Sequence, residues 1–171
     1  LPVLAAAILL TACLGFLALP VSTFMLGLAA VAAVAIYFLW IHRARSREVQ
    51  PGLKRLAVAV LFGAGVVLPL TLSWSLVLAW AATSAVVWLN ILAIDRWQTS
   101  GRSSFAVTLG SAVTGIACLL LGAFGTFYDA LALGSFLIFG LNAWREHFSP
   151  DALRVTVDMA LLVPALALLL R

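Results

Sequence analysis

Apolar residues run along this chain in long unbroken blocks, and polar residues gather in the short gaps between them. Neither the two-residue alternation of a half-buried strand nor the one-sided stripe of a water-facing helix recurs. Each block covers roughly 17 to 22 residues, the length that carries an α-helix across a hydrocarbon layer about 30 Å thick. Seven spans are predicted, at about Leu1 to Leu19, Val21 to Ile41, Leu53 to Leu70, Trp74 to Ile94, Phe105 to Phe124, Phe127 to Trp144 and Pro150 to Leu170. Pro20 and Pro69 mark the weakest boundaries, because a residue without an amide proton suits either a turn or a kink within a longer helix. Inside a bilayer only helices and closed barrels satisfy their own backbone, and the missing alternation selects helices. The expected fold is all-α: a polytopic transmembrane helix bundle forming a single domain over residues 1–171, with no fixed-period repeat and no low-complexity linker.

Composition agrees, with 65% hydrophobic and 9% charged residues, against about 25% charged in a soluble domain. A soluble enzyme or binding module is excluded, and an integral membrane protein, expected in a bacterial cytoplasmic membrane, takes its place. The basic residues then set the orientation. With seven spans and a cytoplasmic N-terminus, Arg43, Arg45, Arg47, Lys54 and Arg55 share one side with Arg96, Arg102, Arg145 and Arg154, and only Arg171 of the ten basic residues lies opposite. This is the asymmetry of cytoplasmic loops. One span more or fewer would scatter it.

The densest basic stretch, "IHRARSREVQPGLKR" over Ile41 to Arg55, reads as an orientation signal that attracts anionic lipid headgroups, or as a site for a phosphate or diphosphate. Nucleic acid is not an expected partner, since the basic residues sit at membrane edges without a base-stacking or groove-reading module. "LTAC" at Leu10 to Cys13 has the form of a lipoprotein processing site, but no basic segment precedes its apolar run, and it reads as a chance match in a Leu/Ala-rich helix. Cys13 and Cys118 both fall within spans and read as small core residues.

Polar groups within the spans are costly and need partners. Asp158 lies about two turns into the last span if Ser149 caps that helix and Pro150 opens it. Arg154 stands one turn earlier on the same face, so an ion pair between them is expected, with a cavity-lining role as the alternative. Asn90 and Asn142 are expected to make interhelical hydrogen bonds. Thr83, Ser84, Thr108, Gly110, Ser111, Thr114 and Gly115 form strips of small residues that let helices approach closely. Trp40, Trp74, Trp97 and Trp144 lie at span ends and read as interfacial anchors; Trp80 and Trp88 lie deeper, facing lipid, core or a ring-shaped ligand. His42 and His147 close two spans at the same predicted face, and read as exposed interfacial side chains or as ligands to a haem iron or a chlorophyll magnesium.

Three segments carry a resemblance: "LKRLAVAVLFGAGVVLP" (Leu53 to Pro69), "WLNILAIDRWQ" (Trp88 to Gln98) and "LRVTVDMALLVPALALLL" (Leu153 to Leu170). They resemble stretches of bacterial membrane proteins related to the UbiA-type intramembrane prenyltransferases. The resemblance implies a helical bundle around a central cavity, of which this chain would be a shortened form. It also implies two Asp-rich motifs at cytoplasmic helix ends, whose carboxylates hold magnesium for a prenyl diphosphate. By position the first motif falls near His42 and Ser46, and the second near Asn142 and Glu146. Only Glu146 is a carboxylate, although Arg43, Arg45, Lys54 and Arg55 could still meet a phosphate.

The resemblance thus argues for the scaffold, and the missing acids argue against the reaction. The expected role is a non-catalytic accessory subunit of a membrane complex, or a binder of a hydrophobic ligand: a lipid, quinone, isoprenoid or tetrapyrrole pigment. The candidate cavity mouth comprises His42, Arg43, Ser46, Lys54, Asn142 and Glu146, with Asn90, Arg154 and Asp158 as intramembrane polar residues and no metal site expected. A magnesium-dependent prenyltransferase and a haem- or chlorophyll-carrying subunit are the alternatives. Membrane lipids and protein chains are the expected partners.

Overall fold

A computed structural model describes residues 20–43, 51–67, 74–100 and 103–169. Among the described residues there are six α-helices and no strand: α1 (Val21–Arg43), α2 (Pro51–Val67), α3 (Trp74–Ser100), α4 (Phe105–Leu121), α5 (Thr126–Ala143) and α6 (Pro150–Leu169). Single 3-10 turns, Gly122–Phe124 and Arg145–His147, follow α4 and α5. The span expected over Leu1 to Leu19 lies outside the described residues. Three helical stretches are long and apolar enough to cross a membrane, Ser75–Thr99, Phe105–Phe124 and Thr126–Ala143. This is consistent with an integral membrane protein.

Local chemistry explains the helix ends. Pro150 opens α6, where its missing amide proton costs nothing, and the Ser149 hydroxyl accepts the Ala152 N–H at 3.2 Å, as the sequence leads one to expect. Ser104 precedes α4 in an extended conformation, and its carbonyl accepts the Thr108 N–H at 2.9 Å. The reversal between α4 and α5 passes through Gly125 at φ 150°, where a β-carbon would clash with the backbone. Helix α3 runs past the expected end at Ile94 to Ser100. Its last turns are polar apart from Trp97, and contacts of Asp95 with Arg55 of α2 and of Trp97 with Asn142 of α5 hold them in place.

Helix α3 packs against α2, α4, α5 and α6, and α5 packs against α3, α4 and α6, so these two form the centre; α1 rests on α2 at the margin. In α4 the sorting of residues by size shows what solvent the fold is built for. Val107, Ser111, Gly115 and Cys118 face inward and are buried, while Leu109, Val113, Ile116 and Leu120 on the opposite side are exposed. Small residues inside and bulky apolar ones outside suit a lipid environment, in which burial of a leucine gains nothing and close helix approach gains dispersion contacts. At the α5–α6 crossing a β-carbon on Gly134 would stand 3.0 Å from the Ala160 carbonyl oxygen, so a larger residue would push the two helices apart.

Candidate functional site

Because consecutive helices run antiparallel, the C-terminal ends of α3 and α5 meet the N-terminal ends of α2, α4 and α6 at one end of the bundle. Contacts there confirm the register. The Arg55 guanidinium of α2 pairs with the Asp95 carboxylate of α3 at 2.8 Å, and the Tyr37 hydroxyl of α1 donates to the Lys54 carbonyl at 3.3 Å. The Arg154 side chain borders a cavity of about 10 Å³ together with Ile94, Trp97 and Gln98 of α3. Lys54, Arg55, Arg96, Arg145 and Arg154 therefore share this end. The opposite end is tied by the Tyr128 hydroxyl, which donates to the Ser75 carbonyl at 3.1 Å.

Asn142 is the organising residue of the charged end. Its side chain is fully buried. Its Oδ1 accepts the Trp97 indole N–H at 2.9 Å and the Ser104 backbone N–H at 3.2 Å. Its Nδ2 donates to the Ser104 carbonyl at 3.1 Å and to the Thr108 hydroxyl at 2.7 Å. A primary amide has two donors and two acceptor lone pairs, and all four are used. The residue thus fastens α3, α4 and α5 together, the interhelical role expected of it, and has no capacity left for a ligand. Trp97 departs from expectation: it is 5% exposed and points into the bundle, so it is no interfacial anchor. Its indole N–H is the reason, since Asn142 offers an acceptor inside. Trp40 and Trp144 are exposed, as anchors should be, and Trp80 and Trp88 are partly exposed at depth, with the Trp80 N–H donating to the Val60 carbonyl at 2.9 Å.

The other expected site residues are dispersed. His42 and Arg43 fall in the last turn of α1, where side chains are not described, and Ser46 lies outside the described residues. Glu146 and His147 are exposed in the 3-10 turn after α5, and His147 Nδ1 lies 3.3 Å from the Trp144 carbonyl oxygen. An open depression of about 310 Å³ beside them is lined by Trp144, His147 and Phe148. Among the described residues no three His, Cys, Asp or Glu side chains converge as metal ligands would. Arg145, in the same turn, keeps Nε and one terminal nitrogen buried without a partner in the protein.

Deeper in the bundle, the Asn90 Nδ2 of α3 donates to the Asp158 carboxylate of α6 at 3.3 Å. The expected Arg154–Asp158 pair does not form. Arg154 is exposed and borders a small cavity with Ile94, Trp97 and Gln98, while an ion pair does form between Arg55 and Asp95. Asn90 is 3% exposed and its Oδ1 has no partner, whereas Asp158 is exposed on the outer surface. An ionised Asp at the centre of a bilayer costs about 2.5 to 3.5 kcal/mol on insertion scales, and less toward the edge. One long hydrogen bond offsets only part of that.

Two features escaped the sequence reading, Arg55–Asp95 and Trp97–Asn142. The signal for the first was present in the pattern: opposite charges at the start of one span and the end of the next must meet when the spans are antiparallel. The second needed the packing of α3 on α5, which residue spacing does not encode. Comparisons with known protein families, with curated proteins and with solved structures find no match.

Proposed function

We propose that the chain is a non-catalytic integral membrane protein, an accessory subunit or hydrophobic-ligand holder within a membrane complex, built on a shortened UbiA-like scaffold. The observation that carries this reading is Asn142. It stands where the resemblance places a metal-binding aspartate, and its four hydrogen bonds spend it on joining helices. Glu146, one turn on, is exposed in a turn rather than directed into a cavity.

The finer topology belongs to the same proposal: seven spans in a bacterial cytoplasmic membrane, N-terminus and basic end facing the cytoplasm. The clustering of Lys54, Arg55, Arg96, Arg145 and Arg154 at one end supports that orientation. The depression beside Trp144, His147 and Phe148 offers an interfacial surface to a flat apolar ligand.

The test is transfer from prenyl diphosphates to hydrophobic acceptors by the detergent-extracted protein, with and without magnesium. No turnover is expected. Magnesium-dependent turnover abolished by Glu146→Gln would replace this reading with an active prenyltransferase, and a visible absorption band lost in His147→Ala would replace it with a pigment or haem carrier.

A further inference from the structure

The exposed side of α6 carries large apolar side chains together with Arg154, Thr156 and Asp158. Val155 is 63% exposed, Met159 58% and Leu162 50%, and the Asp158 carboxylate is exposed among them. It lies eight residues beyond Pro150, which at 1.5 Å per residue is about 12 Å along the helix. This is well past the polar turn of Arg145 to His147. Asn90 Nδ2 already serves Asp158, and the buried Asn90 Oδ1 has no donor within the protein.

The exposed Asp158 carboxylate has one hydrogen bond, from the neutral Asn90 amide, and no cation within ion-pair distance among the described residues. Arg154, one turn earlier on α6, is exposed, borders Ile94, Trp97 and Gln98, and makes no ion pair with Asp158. We propose that the α3–α6 seam at Asp158 is a docking site for a transmembrane helix of a partner protein, and that this helix carries an arginine or lysine at matching depth. This rests on the accessory-subunit reading and names the chemistry of its partner. Charge complementarity selects the occupant. A purely apolar helix would leave the carboxylate uncompensated, and a second copy presenting the same face would bring acid against acid. Exposed apolar neighbours on α6 supply the packing surface, and the guanidinium or ammonium supplies the donors.

The test uses the full chain reconstituted in phosphatidylcholine vesicles with dye-labelled polyleucine transmembrane peptides. One peptide carries a single arginine at the depth of Asp158 and the other carries leucine there. Energy transfer should show the arginine peptide binding about tenfold more tightly, with the difference lost in the near-isosteric Asp158→Asn and kept in Asp158→Glu. Arg154→Gln should leave binding unchanged. Equal binding of the two peptides, or an arginine preference that survives Asp158→Asn, overturns the proposal. It also fails if Arg154→Gln is required before the arginine peptide binds, which would make Arg154 the internal counter-ion. Homotypic energy transfer lost in Asp158→Asn would assign the seam to a second copy and overturn it equally. None of these outcomes touches the prenyl-transfer assay, so the two readings fail separately.

Discussion

Replacing Asn142 with alanine removes one side chain and disturbs four bonds, and the cost follows from what each former partner does afterwards. The Trp97 indole N–H is left in a buried site without an acceptor, and a buried donor so stranded costs about 1 to 3 kcal/mol. The Ser104 N–H also loses its acceptor but is only partly buried, so its loss lies near the average of about 0.6 kcal/mol for interhelical bonds in membranes. The Thr108 hydroxyl and the Ser104 carbonyl still have each other at 3.1 Å and add little. The sum is about 1.6 to 3.6 kcal/mol. Steric trapping in bicelles measures it directly on a reversible equilibrium. The sharper test is the cycle with Trp97→Phe. If the stranded indole dominates, the double variant should be less damaged than the two single losses added, by about 1 kcal/mol. A loss below about 0.5 kcal/mol for Asn142→Ala, or an additive cycle, would refute the claim that Asn142 fastens three helices.

Gly134→Val should destabilise by about 1 to 3 kcal/mol, because its side chain meets the Ala160 backbone, whereas Gly140→Ala, with open space around its α-carbon, should be neutral or stabilising; the same trapping assay compares them. Arg55→Gln and Asp95→Asn should each cost under about 1 kcal/mol, and less as salt is raised, since the paired side chains are 26% and 35% exposed. Cys118, 1% exposed in α4, should resist a membrane-permeant maleimide in a Cys13→Ser background until the protein is unfolded, as followed by intact mass.

The helices were legible in the sequence because a bilayer imposes one rule on every span, length with apolarity, and Val21, Trp74, Phe105 and Pro150 begin helices where the pattern places them. The partner of each polar residue was legible only where chain order dictates it. Arg154 and Asp158 share a face of α6, and spacing alone pairs them; packing on α3 supplied Asn90 for the acid, and no ion pair with the arginine forms. Trp97 shows the same limit from the other side. A tryptophan at a span end reads as an anchor, and whether it faces lipid or the bundle depends on an acceptor 45 residues further along the chain.

What separates the two asparagines is how completely each is satisfied, and this bears on where the protein meets others. Asn142 uses every donor and acceptor it has, all within the bundle, and the helices around it form one unit. Asn90 uses a single donor, on an acid that itself faces outward, and its oxygen goes without. Polar groups in hydrocarbon favour whichever arrangement satisfies most of them. The same pressure that closed the network at Asn142 therefore acts on the exposed Asp158 carboxylate, which a group from outside the chain can reach. The proposed partner helix would satisfy that carboxylate, and the accessory-subunit reading and the docking proposal at Asp158 meet at this point.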